Sequence, residues 1–176
     1  MRIRELVRHE IPSLWSIDRT EVIERVYRRV GDALVLSPER HDVRGWPPGE
    51  PERDEPMLLD CFDRGGTFYG AFAGDTLIGA AVLESRFIGR SEDQLQLDFL
   101  HVSRSQRRAG LGRTLFGMAV ERARLRGARR LYISATPSEN TVRFYLRRGC
   151  RLSDDVDPVL FAREPEDIHL ELDIPT

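Results

Sequence analysis

A stretch of alternating residues from Gln94 to Val102 runs into Ser103-Arg104-Ser105-Gln106-Arg107-Arg108-Ala109-Gly110-Leu111-Gly112, where a basic loop gives way to two glycines and then to a helical pattern. That order suits an anion. The first N–H groups of a helix have no intrahelical acceptor, the positive end of its dipole points the same way, and glycine lets a phosphate approach the backbone closely. Arg107, Arg108 and Arg113 add charge where a phosphate would sit. Taken alone, two glycines one residue apart are a weak signal, because a tight strand-to-helix turn needs glycine for conformational reasons. The run is not a P-loop, having no Lys-Ser/Thr ending, and its spacing is not Gly-x-Gly-x-x-Gly.

The elements that must position this segment read as strand, helix, strand, helix: a strand from Gln94 to Val102, a helix from Gly110 to Arg126 stopped by Gly127, and a strand Arg130 to Ser134. A helix from Ser138 to Arg148 stopped by Gly149 and a last strand Ile168 to Leu172 follow, which implies a partly parallel sheet. The long helix turns Leu111, Leu115, Phe116, Met118, Val120 and Ala123 inward and leaves Glu121, Arg122, Arg124 and Arg126 on or near the wet side. Upstream, Arg2 to Val7 reads as a strand, and a helix starts near Ile11-Pro12-Ser13. Residues 21–36 read as a hairpin around Gly31-Asp32, with a helix as the competing assignment because Val22, Val26 and Val30 also recur every four. Four prolines among the twelve residues 45–56 predict a loop without regular structure. A short helix through Met57, Leu58, Cys61 and Phe62 then ends at Gly65-Gly66, followed by an antiparallel pair over 67–73 and 76–83.

On these residues the chain resembles the GNAT acetyltransferases, whose signature Gln/Arg-x-x-Gly-x-Gly/Ala directly after a strand ending in Val is met by Arg107 through Gly112. A second resemblance lies in Ser138-Glu139-Asn140-Thr141-Val142-Arg143-Phe144-Tyr145-Leu146-Arg147-Arg148-Gly149-Cys150, an aromatic-Tyr helix closed by glycine. The likeness is specific over residues 67–150, while residues 20–56, the variable substrate side, carry no family motif. It implies one domain over 1–176, a three-layer α/β/α fold whose central mixed, mostly antiparallel sheet splays between the 94–102 and 130–135 strands. It also implies acetyl-CoA as acyl donor, its pantetheine along the backbone of Leu100, His101 and Val102 and its pyrophosphate on Arg107, Arg108, Ala109, Gly110, Leu111, Gly112 and Arg113. Family members often carry Asn seven residues before the tyrosine. Here Ser138 holds that place, with Asn140 two residues on, and both count as candidate cofactor contacts along with Tyr145.

The resemblance implies transfer of acetyl to a primary amine of a small molecule or peptide by direct attack in a ternary complex. Tyr145 is the natural acid for the departing thiolate, since a phenol with a pKa of roughly 10 is protonated at neutral pH. Without the motif, a packing aromatic on an amphipathic helix would be the better reading of Tyr145. For the base, Asp98 shares a strand face with Gln96, Leu100 and Val102, and a carboxylate between Leu97 and Phe99 is expensive unless hydrated or paired. An Asp with a pKa of about 3.9 is a poor base, so it would act through water or with a raised pKa, and a structural Asp stays open. His101 on the other face and Glu84 on the neighbouring strand rank behind it.

Composition sets the outer limits. Over 176 residues, 27 basic and 29 acidic side chains give a formal charge of −2, which argues against a broad nucleic-acid-binding face. The charged opening, Met1 to Glu10, cannot serve as a signal-peptide apolar region, and no run reaches membrane-spanning length, so a cytoplasmic protein without membrane contact is expected. Cys61 and Cys150 and the four scattered His residues signal neither disulfides nor a metal. Two further functional classes compete with the enzyme: an acyl-CoA sensor without turnover, which would be expected to lose Tyr145 or Asp98, and an interaction domain, which leaves the basic glycine loop unexplained. A homodimer through the last strands is an arrangement the resemblance allows, and nothing in the sequence decides it.

Overall fold

The computed structural model describes residues 1–175. In chain order these form β1 (Arg2–Glu5), a 3-10 helix (Arg8–Ser16), β2 (Glu21–Val30), β3 (Ala33–Val43), α1 (Glu50–Asp63), β4 (Thr67–Ala73) and β5 (Thr76–Ile88). Then come β6 (Gln94–Val102), a 3-10 turn (Arg104–Gln106), α2 (Leu111–Leu125), β7 (Arg130–Ala135), α3 (Glu139–Leu146), β8 (Arg151–Leu152), α4 (Pro158–Arg163) and β9 (Ile168–Asp173). Seven strands make a mixed, mostly antiparallel sheet in the order β1-β4-β5-β6-β7-β9-β8, and β2 with β3 makes a separate two-stranded sheet. The chain divides into two compact units, one of residues 1–21, 43–85 and 97–122, the other of residues 22–42, 86–96 and 123 onward.

In the first unit β1 runs antiparallel to β4, Arg2 opposite Phe72 and Glu5 opposite Tyr69, and β4 runs antiparallel to β5 across Gly74-Asp75, with an irregularity at Ala71/Phe72. Ile11 and Leu14 from the 3-10 helix, Leu58 and Cys61 from α1, and Phe68, Val82 and Phe99 from the strands make one buried cluster. On α2, Leu111, Leu115, Phe116 and Ala123 are buried, as the periodicity predicts, and Ala119 joins them, while Met118 and Val120 are half-buried. Gly79 lets this layer close, because a Cβ there would stand 3.2 Å from both the His101 carbonyl oxygen and Leu111 Cδ2. Arg122 is half-buried rather than wet, its guanidinium bonded to the Tyr69 hydroxyl at 3.1 Å and to Glu5.

One expectation is overturned here. The proline-rich residues 45–56 are not wholly a loop, for α1 already starts at Glu50. Pro51 falls in the first helical turn, where its missing N–H would have had no partner, and Pro56 interrupts only one later bond. Burial of Leu58 and Cys61 offsets that lost bond. Composition over a window hides which positions in a helix tolerate proline.

In the second unit, β6 and β7 pair in parallel, with Gln94 opposite Arg130 and Gln96 opposite Tyr132. β9 pairs antiparallel with β7 on one side and β8 on the other. The hairpin expected at 21–36 forms and runs on to Val43, so the competing helix is excluded. Its first strand docks on the turn before α3: Tyr27 N–H donates to the Pro137 carbonyl at 2.8 Å, Val26 bridges Ser138, and Arg25 pairs with Glu139 at 2.8 Å. The buried Tyr132 hydroxyl is 2.7 Å from His169 Nδ1 and accepts from Asp157 N–H, and burial raises its pKa to about 12. Sequence reading missed β8, whose two residues carry no alternation, and α4, although Asp157 before Pro158 is a readable cap: its carboxylate accepts from the N–H groups of Val159 and Leu160.

Among the described residues no helix is long and apolar enough to cross a membrane, and no group of three His, Cys, Asp or Glu side chains is placed to hold a metal ion.

Candidate active site

The strand-loop-helix segment is built as the residue types require. β6 ends at Val102, and the Ser103 N–H reaches the Ile78 carbonyl at 2.9 Å. The loop then turns through two left-handed residues, Arg108 at φ 69° and Gly110 at φ 85°, before α2 begins. Left-handed backbone is strained for most side chains, so glycine suits position 110 on conformational grounds alone. The Thr114 N–H makes the first intrahelical bond, to the Gly110 carbonyl at 3.1 Å, and the N–H groups of Leu111, Gly112 and Arg113 therefore precede any intrahelical acceptor. Arg108, Ala109, Gly110 and Arg113 are exposed around that helix end, while Leu111 is buried and anchors it.

Arg107 behaves differently from the charge donor expected of it. Its Nε donates to the Val102 carbonyl at 3.0 Å and its Nη1 to the Thr20 carbonyl at 3.2 Å. Nη2 reaches the Asp18 carbonyl at 3.5 Å, and the Glu21 carboxylate lies 3.8 Å from Nη1. Its side chain thus turns back into the protein, and the exposed charge of this loop is carried by Arg104, Arg108 and Arg113.

The three candidate bases have separate surroundings. Asp98 is half-buried on β6 with Gln96, Leu100 and Val102 on its face. Glu84 is engaged by a guanidinium: Arg64 Nη2 and Nη1 donate to its two oxygens at 2.8 and 3.0 Å, and Ser85 N–H adds a third donor at 2.9 Å. Burial pushes the nearby Cys61 thiol well above its usual range, and the charge of Glu84 and a hydrogen bond to it, then the charge of Asp98, add to that. Glu84 is thereby tied to Arg64 and to its own strand. His101 sits on the opposite face, edge-on to Trp46 and Phe99 at 4.9 and 4.6 Å between ring centroids, with Arg19 over Trp46 at 4.9 Å.

Burial, and then the positive charges of Arg19 and Arg107, lower the His101 pKa to about 3, so its imidazole is neutral at physiological pH. The sign of the stability effect follows: between the unfolded pKa of about 6.5 and the folded value, the unfolded chain binds a proton that the folded chain refuses. Stability contributed by neutral His101 is present above that window and lost as pH falls through it, and the same sign holds for buried His169, whose pKa is also lowered. A His101→Gln variant is expected to show a shallower fall in melting temperature between pH 6.5 and pH 4 than the parent, measured by calorimetry; parallel curves would remove His101 as a source of the slope.

The remaining predicted residues lie in the other unit. Ser138 is buried and caps α3: its hydroxyl accepts from the Thr141 N–H at 3.3 Å and donates to Thr141 Oγ1 at 2.9 Å. Asn140, one turn-position along, is exposed. Tyr145 is 6 % exposed, its ring edge-on to Phe144 at 5.1 Å. Burial first, then the neighbouring Cys150, raises its pKa above the ordinary phenol value, against the lowering charge of Arg148. The Tyr145 carbonyl accepts from the N–H groups of Arg148 and Cys150, closing the helix at the predicted Gly149, which takes φ 87°.

The Acetyltransferase (GNAT) family model matches residues 35–150 of this 176-residue chain, a span that includes the sequences of both the glycine loop and the tyrosine helix. The chain belongs to the GNAT acetyltransferase family. The fold agrees with solved structures of that kind. A nourseothricin acetyltransferase is similar with a TM-score of 0.72 at 21 % identity, covering 99 % of this chain and 98 % of its own. The PaiA N-acetyltransferase of Thermoplasma acidophilum, solved with coenzyme A, gives a TM-score of 0.63 at 19 % identity over 98 % of each chain. A candidate streptothricin acetyltransferase of Bacillus anthracis, in complex with acetyl coenzyme A, gives 0.66 at 14 % identity, covering 99 % of this chain and 97 % of the other. A search of curated proteins finds no match. As a GNAT domain the chain has acetyl-CoA as its co-substrate, and the exposed first turn of α2 with Arg108 and Arg113 fits a pyrophosphate in charge and in donors.

Proposed function

We propose that this GNAT domain transfers acetyl from acetyl-CoA to a primary amine of a small molecule or peptide, by direct attack in a ternary complex. The observation that carries this reading is the loop from Arg107 to Gly112, whose left-handed Arg108 and Gly110 deliver the α2 N-terminus among exposed arginines. Small amine acceptors are supported by the names of similar structures, which act on nourseothricin and streptothricin or are called N-acetyltransferases.

In this reaction the amine nitrogen attacks the thioester carbonyl, a C–N bond forms, and the resulting oxyanion takes a hydrogen bond from a backbone N–H near Val102. Collapse breaks the C–S bond. The phenol of Tyr145 gives its proton to the leaving thiolate, and the surplus ammonium proton passes to Asp98 directly or through water. Tyr145 suits the acid role because burial keeps the phenol protonated. Asp98 is the preferred base because it shares the β6 face of Gln96, Leu100 and Val102, and His101 on the other face has little proton affinity.

The test is a calorimetric titration with acetyl-CoA, followed by thiol release over a panel of primary amines. Binding with release supports the enzyme, binding without release across the panel makes the chain an acyl-CoA sensor, and no binding rejects the reading. For Asp98→Asn we expect kcat to fall about a hundredfold or more, with coenzyme A affinity retained. An unchanged kcat would pass the base role to water.

A further inference from the structure

The signature arginine of the glycine loop does not use its guanidinium as the loop's other arginines do. Three of its nitrogens face three backbone carbonyls: Val102 at the end of β6, Thr20 and Asp18. The same two chain segments are tied twice more, by Arg104 N–H to the Asp18 carbonyl at 2.9 Å and by Asp18 N–H to Ser103 Oγ at 3.1 Å. Asp18 is itself closed into a turn by Thr20, whose N–H and hydroxyl donate to its carboxylate at 2.9 and 2.6 Å, and these bonds lower its pKa. Every carbonyl on Arg107 is neutral and belongs to the backbone, and the nearby Glu21 carboxylate at 3.8 Å offsets its charge.

We infer that Arg107 is a positioning residue: its guanidinium locks the end of β6 and the start of the cofactor loop to segment 18–21, so that the loop and the entry to β2 are ordered together. Planarity is what fits the task. A guanidinium presents several N–H groups in a fixed fork and can hold carbonyls from two strands of chain at once, whereas a lysine ammonium is a single point that would satisfy one of them. The inference rests on the proposed acetyl-CoA site only for its consequence, which is that cofactor affinity depends on this lock rather than on attraction between Arg107 and phosphate.

Two measurements separate the possibilities. In the free protein, amide hydrogen exchange at residues 18–21 is expected to speed up about tenfold or more in both Arg107→Gln and Arg107→Lys, and to stay at the parental rate in Arg108→Gln. Coenzyme A titrated at low and high salt is expected to bind Arg107→Gln and Arg107→Lys about tenfold more weakly, by a factor that does not shrink with salt. The loss in Arg108→Gln does shrink, because it is a screened charge contact. Rescue of affinity by Arg107→Lys, a salt-sensitive loss in Arg107→Gln, or unchanged exchange at 18–21 would each overturn the inference. If coenzyme A fails to bind the parent protein, the proposed function falls, while the exchange result still decides the lock. Should Arg107→Gln melt at the assay temperature, Arg107→Lys carries both measurements.

Discussion

Gly110→Asp is expected to fold and to lose coenzyme A binding. The backbone at position 110 is left-handed, φ 85°, and a Cβ there would meet nothing within 4 Å, so the cost of substitution is conformational rather than steric. Asp and Asn tolerate the left-handed region better than other non-glycine residues, and both favour the residue just before a helix, where their side-chain oxygen can accept a first-turn N–H. An aspartate here also agrees with the α2 dipole, so the helix is kept. What changes is the charge. A carboxylate about 5 Å from one phosphate charge repels it by about 3 kcal/mol at an effective dielectric near 20, more than a hundredfold in Kd, and it competes for the same N–H groups. Gly110→Asn isolates that term, having the same shape without the charge, and should bind within about tenfold of the parent. Calorimetry with coenzyme A, beside circular dichroism for the fold, reads the result; parental affinity in a folded Gly110→Asp would remove the pyrophosphate from this loop.

Tyr145→Phe is expected to slow acetyl transfer about a hundredfold to ten-thousandfold while leaving coenzyme A affinity within a factor of a few. The ring is buried on the inner side of α3, so phenylalanine keeps the packing and removes only the hydroxyl. Burial raises the phenol pKa, which means that the proton is present throughout the neutral range and that no basic limb in the rate belongs to Tyr145 below pH 10. The discriminating readout is the acyl donor's leaving group: release of the coenzyme A thiol from acetyl-CoA over a range of pH. Turnover equal to the parent would return Tyr145 to the role of a packing aromatic.

Both variants probe residues that are legible in the sequence. Gly110 and Gly112 are marked by a strand ending in valine and a following helical period, and Tyr145 by the resemblance of its aromatic-Tyr helix to the GNAT pattern. Boundaries of β6 and β7 and the hairpin of β4 with β5 were readable because alternation and turn glycines are local signals. The start of α1 was not, since proline counts say nothing about proline positions. Neither was β8, which exists only because β9 offers it a partner.

The sequence alone determined the identity of the loop, the helix that follows it, the tyrosine helix and hence the family, because each depends on residues close together in the chain. Tertiary structure decided what the side chains at those positions do. Arg107 and Arg108 are neighbours of the same type, yet one is spent on the carbonyls of Asp18, Thr20 and Val102 and the other is exposed. Glu84 ranked behind Asp98 in the sequence, and folding adds the Arg64 guanidinium on its carboxylate. His101 lost its apparent advantage as a titrating base once Trp46 and Phe99 packed around it and Arg19 and Arg107 stood near. Charge, solvation and hydrogen bonding are set by partners tens of residues away in the chain, and only folding brings them to the same place.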